Sequence, residues 1–375
     1  MSKLPKVGTT IFAVMSKLAV EQEAINLSQG FPNFPVDRRL TDIVASISSE
    51  SVHQYMPMAG YPPLLEMIGR TINESYNRIV DAQQEILITA GATQGIFTTI
   101  QAFVGQGEEV IILDPSYDCY EPAVILSGGV PIRIPLNSDF TPNWDRIEDS
   151  FSDQTKMIIV NNPHNPSGRI LNTSDIERLE LILDKFPNVL LISDEVYEYI
   201  TFEEKHISAN SRSKLKEKTI VISSFGKTFH ITGWKIGYLV APLYLMGEIK
   251  KVHQFLVFSV NSIAQVALAQ YLDIVNVNDL GAFYQEKRDF FKDVMKESRF
   301  VLLPSEGSYF QVASYADISS ESDVYFAKRL VMEHGVAAIP MSVFNADGRD
   351  DKLVRFCYAK DEETLTKAAE RLCKI

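Results

Sequence analysis

Residues 223–238 read S-S-F-G-K-T-F-H-I-T-G-W-K-I-G-Y. Within them, Gly226-Lys227-Thr228 has the ending of a nucleotide-binding P-loop. A P-loop needs a glycine five residues before its Gly-Lys pair, so that free N–H groups can cradle phosphate. Here that position is Val221, inside the β-rich run Thr219–Ser223. The stretch therefore reads as a buried strand ending just before a lysine. In an open α/β sheet, ligands bind at the carboxyl ends of the strands. A lysine there is either a solvated turn residue or a nucleophile. The second requires desolvation or a neighbouring cation, and Lys235 is one in sequence.

Further short apolar runs flank this one: Glu85–Thr89, Glu109–Leu113, Val130–Ile134, Lys156–Val160, Val189–Ser193 and Ile236–Ala241. Bounded by turn residues, they suit strands buried on both faces. Helical patterns lie between them. Asn172–Phe186 carries Ile176, Leu179, Leu183 and Phe186 on one face, with Ser174 and Glu177 spaced as a capping box. This alternation predicts an α/β fold with a mostly parallel central sheet flanked by helices. The last hundred residues differ. A long helical region, about Leu243 to Glu297, precedes Phe300–Leu303, Tyr309–Val312, a helix around Val324–His334, Val354–Tyr358 and a final helix. The expected division is an N-terminal arm with part of a small domain (1–35), a large domain (36–275) and a small α+β domain (276–375).

Three more segments carry chemistry at predicted strand ends. Asp194-Glu195-Val196-Tyr197 follows Val189–Ser193; the acid is either a ligand to a cationic ring nitrogen or a helix N-cap. Asn161-Asn162-Pro163-His164-Asn165-Pro166-Ser167-Gly168 follows Lys156–Val160 and sets asparagine side chains on a stiff loop, or is a plain turn. Gly91-Ala92-Thr93-Gln94-Gly95 ends a strand and opens a helix, a ready anion site.

Bulk properties narrow the function classes. The formal net charge is −12 over 375 residues, which argues against nucleic-acid and basic membrane-surface binding. Cys119, Cys357 and Cys373 are odd in number and far apart, so neither a disulfide framework nor a metal site is indicated. No apolar run approaches the roughly 20 residues of a membrane span, and no secretory signal pattern opens the chain. The expectation is a cytoplasmic protein.

An amine nucleophile, an anion cradle, an acid and amide side chains together match one cofactor. Pyridoxal 5′-phosphate offers an aldehyde, a phosphate, a pyridine nitrogen and a phenolic oxygen to those groups. The sequence resembles the fold-type-I, class I/II pyridoxal-phosphate aminotransferases from SQGFPNFP to LVRFCYAKDEETL. It looks most like the branch of methionine aminotransferases, kynurenine–oxoglutarate aminotransferases and glutamine transaminase K. HQYMPMAGYPPL, DPSYDCYEPA, NNPHNPSG, SDEVYEYI, SFGKTFHITGWKIGY and VHQFLVFSVNSIAQ carry the closer match.

The resemblance implies the following roles. Lys227 is the Schiff-base lysine and proton shuttle. Asp194 pairs with the ring nitrogen, and Tyr197 and Asn165 hydrogen-bond the phenolic oxygen. Tyr117 stacks on the ring. Gly91, Ala92, Thr93, Ser224 and Lys235 form the phosphate cradle, joined by Tyr55 from the neighbouring subunit of a homodimer with shared active sites. Arg355 grips the substrate α-carboxylate, helped by Asn165 and the Gly30 backbone. Phe12, Phe31 and Phe258 form an apolar side-chain pocket. Ser259 stands where kynurenine-type relatives often carry histidine, so methionine and aromatic amino acids are favoured, with a 2-oxo acid as acceptor. Two alternatives use the same scaffold: a carbon–sulfur β-lyase, and a non-catalytic cofactor-binding regulator.

Overall fold

The computed structural model of the chain describes residues 2–5 and 7–375, so Met1 and Lys6 of the expected arm lie outside the described residues. All seven apolar runs become strands of one sheet. Counting a short first strand β1 (Ile25–Asn26), they are β2 (Ile86–Thr89), β3 (Glu109–Asp114), β4 (Val130–Pro135), β5 (Thr155–Asn161), β6 (Leu190–Asp194), β7 (Thr219–Ser223) and β8 (Gly237–Val240). Their order is β2-β8-β7-β6-β5-β3-β4. Strands β3 to β7 pair in parallel, whereas β8 is antiparallel to both β2 and β7.

Side chains alternate across this sheet with the two-residue strand period. Ile158 and Val160 of β5 and Val221 of β7 enter a core with the helices Pro62–Tyr76, Thr173–Lys185 and Ser262–Leu272. Met157, Ile159, Ile220 and Ile222 point the other way, against Ala92–Phe103 and Leu243–Leu256. Both faces are covered, so the strands read as continuous apolar runs.

A second antiparallel sheet contains β9 (Val301–Leu302), β10 (Phe310–Ser314), β12 (Ile339–Pro340) and β13 (Leu353–Cys357), in the order β12-β13-β10-β9. The short β11 (Val336–Ala337) pairs instead with β1, in parallel. Met15 and Leu27 join the core of this second layer. The Cys357 N–H donates to the Leu27 carbonyl at 2.8 Å, which lays residues 28–31 beside β13.

Two local expectations change. The capping box of Thr173–Lys185 is Asn172 with Asp175, not Ser174 with Glu177. The Ser174 hydroxyl donates to Asn172 Oδ1 instead, two residues too late to act as the cap. The long helical region is three helices, Leu243–Leu256, Ser262–Leu272 and Leu280–Val294. The second starts where the Asn261 side chain accepts from the Ala264 N–H.

Candidate active site

The carboxyl ends of β5, β6 and β7 surround a cavity of about 290 Å³. The chain order reverses between β3 and β5, and ligands of open α/β sheets bind at such a point. Lys227 lies in the single-turn helix Phe225–Thr228, directly after β7. Its Nζ donates to the Tyr309 hydroxyl at 3.1 Å and the Gly30 carbonyl at 3.3 Å. Burial pushes its pKa down to about 8; Arg355 and Lys235 push the same way, against Cys357. Lys227 therefore lines the cavity and is not an open, solvated turn residue.

Asp194 ends β6 and is 3% exposed. Burial pushes its carboxyl up to about 6. The Tyr120 hydroxyl, which donates to Oδ2 at 2.5 Å, pulls the other way. Asn161 links this strand end to the proline-rich loop. Its Nδ2 donates to the Asp194 carbonyl at 2.9 Å, and its Oδ1 accepts from the Asn165 N–H at 2.7 Å. Tyr197 is buried with its ring edge-on to Tyr309 and Phe310, and burial raises its pKa.

The helix Ala92–Phe103 points its N-terminus into the cavity, with Gly91 as an N-cap that has no side chain. Gly91 adopts φ +81°, and a Cβ there would sit 3.4 Å from Lys235 Nζ. The opposite strand must also carry glycine: a Cβ on Gly237 would approach the Ser223 carbonyl to 2.5 Å. Thr93, Ser224 and Lys235 line the same corner. Free helix N–H groups, two hydroxyls and an ammonium are the donor set a phosphate requires. Tyr117 lines the wall between this corner and Asp194.

Arg355 is 1% exposed, yet no carboxylate pairs with it among the described residues. Its Nη1 donates to Asn165 Oδ1 at 2.7 Å and its Nη2 to the Ser28 carbonyl at 3.3 Å; Nε has no partner. The guanidinium lies 3.9 Å from the Phe310 ring centroid. A buried, unpaired guanidinium is costly unless an anion completes it. Phe12 and Phe31 line the outer cavity wall.

Tyr55 and Phe258 do not line this cavity. They lie on the surface, 81% and 46% exposed, with their rings 5.3 Å apart. Phe258 is therefore not part of the apolar pocket within its own chain.

The aminotransferase class I and II family model matches residues 22–372. The chain belongs to this family. This class I and II aminotransferase is 46% identical to the methionine aminotransferase of Escherichia coli (strain K12), covering 100% of this chain and 98% of the relative. It is 32% identical to human kynurenine–oxoglutarate transaminase 3, over 98% of this chain and 88% of that one. The solved structure of YbdL from Escherichia coli, described as having a methionine aminotransferase function, superposes with a TM-score of 0.98 at 45% identity. That match covers 100% of this chain and 99% of the other. The aminotransferase is a pyridoxal-phosphate enzyme of fold type I, and the donor set of the cavity fits that group: an enclosed amine, a buried acid and an uncapped helix N-terminus beside a lysine. Among the described residues no helix is long and apolar enough to cross a membrane, and no cluster of His, Cys, Asp or Glu could hold a metal.

Sequence reasoning missed Tyr120, Tyr309 and Phe310, and named Asn161 only as part of the proline-rich loop without its link to Asp194. Tyr120 carried a usable signal, three residues after Tyr117 on one turn. Tyr309 and Phe310 carried none, because aromatic residues in a predicted strand read as core.

Proposed function

We propose that this aminotransferase takes its amino group from methionine, aromatic and similar apolar amino acids and passes it to a 2-oxo acid in two successive half-reactions. One observation carries the reading: Arg355 is the only arginine of the cavity among the described residues, and the same cavity is lined by Phe12 and Phe31. A single guanidinium suits an α-carboxylate, and a side-chain carboxylate finds no second one. The 46% identity to a methionine aminotransferase supports the same donor.

Pyridoxal phosphate, when bound, supplies a carbonyl carbon that exchanges amines and a ring that accepts the electron pair left at Cα. The chain supplies the rest. Gly91, Ala92, Thr93, Ser224 and Lys235 would hold the phosphate, and Tyr117 the ring face. Asp194, ionised above about pH 6, would face the ring nitrogen. Tyr197 and Asn165 would bind the phenolic oxygen. Arg355, Asn165 and the Gly30 backbone orient the α-carboxylate, which aims the Cα proton at Lys227. Lys227 would supply the amine that holds the group and, when free, the base that takes that proton.

A homodimer with shared sites accounts for Tyr55 and Phe258, an exposed aromatic pair left outside its own cavity. Ser259 beside them spends its hydroxyl on the Met56 carbonyl at 3.0 Å. Met15 and Leu27 share an apolar core with residues of 276–375, which supports the division into 1–35, 36–275 and 276–375, although Leu136, Phe140, Tyr197 and Ile200 also enter that core. Three free thiols suit the cytoplasm. The deciding experiment incubates the holoenzyme with methionine plus a 2-oxo acid, and separately with cystathionine alone. The expected product is the amino acid of the acceptor. Pyruvate and ammonia from cystathionine, with no amino acid formed from the acceptor, would instead establish the β-lyase.

A further inference from the structure

Tyr309 is fully buried in the turn immediately before β10, outside every role described above. Its hydroxyl donates to the Gly30 carbonyl at 2.6 Å and accepts from Lys227 Nζ at 3.1 Å. Lys227 Nζ also donates to that same Gly30 carbonyl, at 3.3 Å. The three groups close a small triangle. A phenol has one proton and two lone pairs, so the proton spent on Gly30 leaves the oxygen an acceptor toward the lysine. Burial raises the Tyr309 pKa well above its ordinary value, which keeps that proton in place.

The Gly30 carbonyl is held for this purpose from both sides. Lys360 Nζ donates to the carbonyls of Phe31 at 2.6 Å and Gln29 at 3.4 Å, leaving Gly30's own oxygen for Tyr309 and Lys227. A Cβ on Gly30 would come within 2.9 Å of Phe310 Cζ, so only glycine lets the turn approach this closely. The Tyr309 ring is fixed by edge contacts with Tyr197 at 5.2 Å and Phe310 at 4.9 Å.

We propose that Tyr309 is a positioning residue for Lys227: with the Gly30 carbonyl it forms a two-oxygen seat that holds the free amine and sets the direction of its lone pair. A neutral amine has two N–H bonds and one lone pair. With both N–H bonds directed at fixed oxygens, the lone pair must take the remaining tetrahedral direction. The seat is used whenever Lys227 is not bonded to another group, which is when it must act as a base. Correct aim of a general base is worth orders of magnitude in rate.

The test is Tyr309→Phe, which keeps the ring and removes only the hydroxyl. The first readout needs no turnover. Cofactor-free full-length protein is labelled with acetic anhydride across a pH series, and Lys227 is followed by peptide mass. Accepting a hydrogen bond from the amine favours its charged form, so the variant's midpoint should fall by about half a unit or more below that of wild type. The second readout rests on the proposed donor. Single turnover of the holoenzyme with methionine should slow about tenfold, the loss of one well-made hydrogen bond, with KM within about twofold. The isotope effect with α-deuterated methionine should rise. Tyr309→Leu, which loses ring and hydroxyl, should reproduce the labelling midpoint of Tyr309→Phe. An unchanged midpoint in Tyr309→Phe overturns the seat, whatever the rate does. A wild-type enzyme inactive on methionine sinks the donor reading alone, because the labelling midpoint still decides the seat.

Discussion

Arg355 Nη1 donates to Asn165 Oδ1 at 2.7 Å, joining residues 190 positions apart. The bond ties β13 of the second sheet to the proline-rich loop of the first. The guanidinium's Nε is left buried without a partner. Replacing Arg355 with lysine keeps the charge and loses the planar fork. The expected result is a fall in kcat/KM for amino acids of roughly 100-fold, since charged hydrogen bonds are worth about 1.5–3 kcal/mol each. Cofactor affinity should be unchanged. Steady-state kinetics with equilibrium cofactor titration check both.

The Tyr120 bond to Asp194 sets an acid limit. Cofactor association should weaken as pH falls through about 6, where Asp194 takes a proton. The Tyr120 hydroxyl donates to the ionised carboxylate and so lowers its pKa. Tyr120→Phe removes that help, and the acid limb should move to higher pH by about one unit, equivalent to about 1.4 kcal/mol. Absorbance titrations of the cofactor-free protein between pH 5 and about 7.5 would read this shift. An acid limb that moved downward would contradict the assignment.

Lys227 is held near 8 in the folded chain against an ordinary 10.5. Its folded pKa is depressed, so folding opposes the charged form. Below about pH 8 the lysine is charged in both states and the full penalty applies. Between 8 and 10.5 the folded form has lost its proton and the unfolded form has not, so the penalty is relieved as pH rises. Cofactor-free Lys227→Met should therefore be more stable than wild type at pH 7, by on the order of 2 kcal/mol, and the gap should close above pH 10.5. Urea melts at several pH values would show it. The same variant should have no transaminase activity.

The exposed pair Tyr55 and Phe258 makes a prediction about assembly. Wild type should sediment at twice the chain mass. Phe258→Arg, which puts a charge in that aromatic contact, should shift the protein toward single chains and lose activity with dilution. Full activity in a monomeric wild type would remove the shared-site reading.

Much of the large sheet was legible because its strands are buried on both faces. Ile220-Val221-Ile222 and Met157-Ile158-Ile159-Val160 announce themselves as runs with no polar interruption. The two-residue β1 and β11 were not legible, since a parallel ladder that short has no periodicity to read. The cap of Thr173–Lys185 was misplaced by two residues because Asn172 and Ser174 are both acceptable caps and only backbone geometry chooses between them. Lys227, Asp194 and the Gly91 turn stood out in the sequence because each is a polar or special residue at a strand end, whereas Arg355, in the middle of β13, was reached only through the family resemblance. Tyr309 did not, because its hydroxyl matters only through what lies opposite it.

The sequence by itself determined the order of strands and helices, the residue types at their ends and the family. Those features depend on local patterns of burial and turn chemistry, which the chain carries in its own order. Only the tertiary structure decided which side chains meet. Gly30, Tyr309 and Lys227 come together because β1 docks on β11 and the Leu27 carbonyl on β13. Tyr55 and Phe258 are left outside the cavity for a related reason: the folded path of a single chain does not turn their loops inward. Such contacts are fixed by packing between layers, and packing has no sequence period.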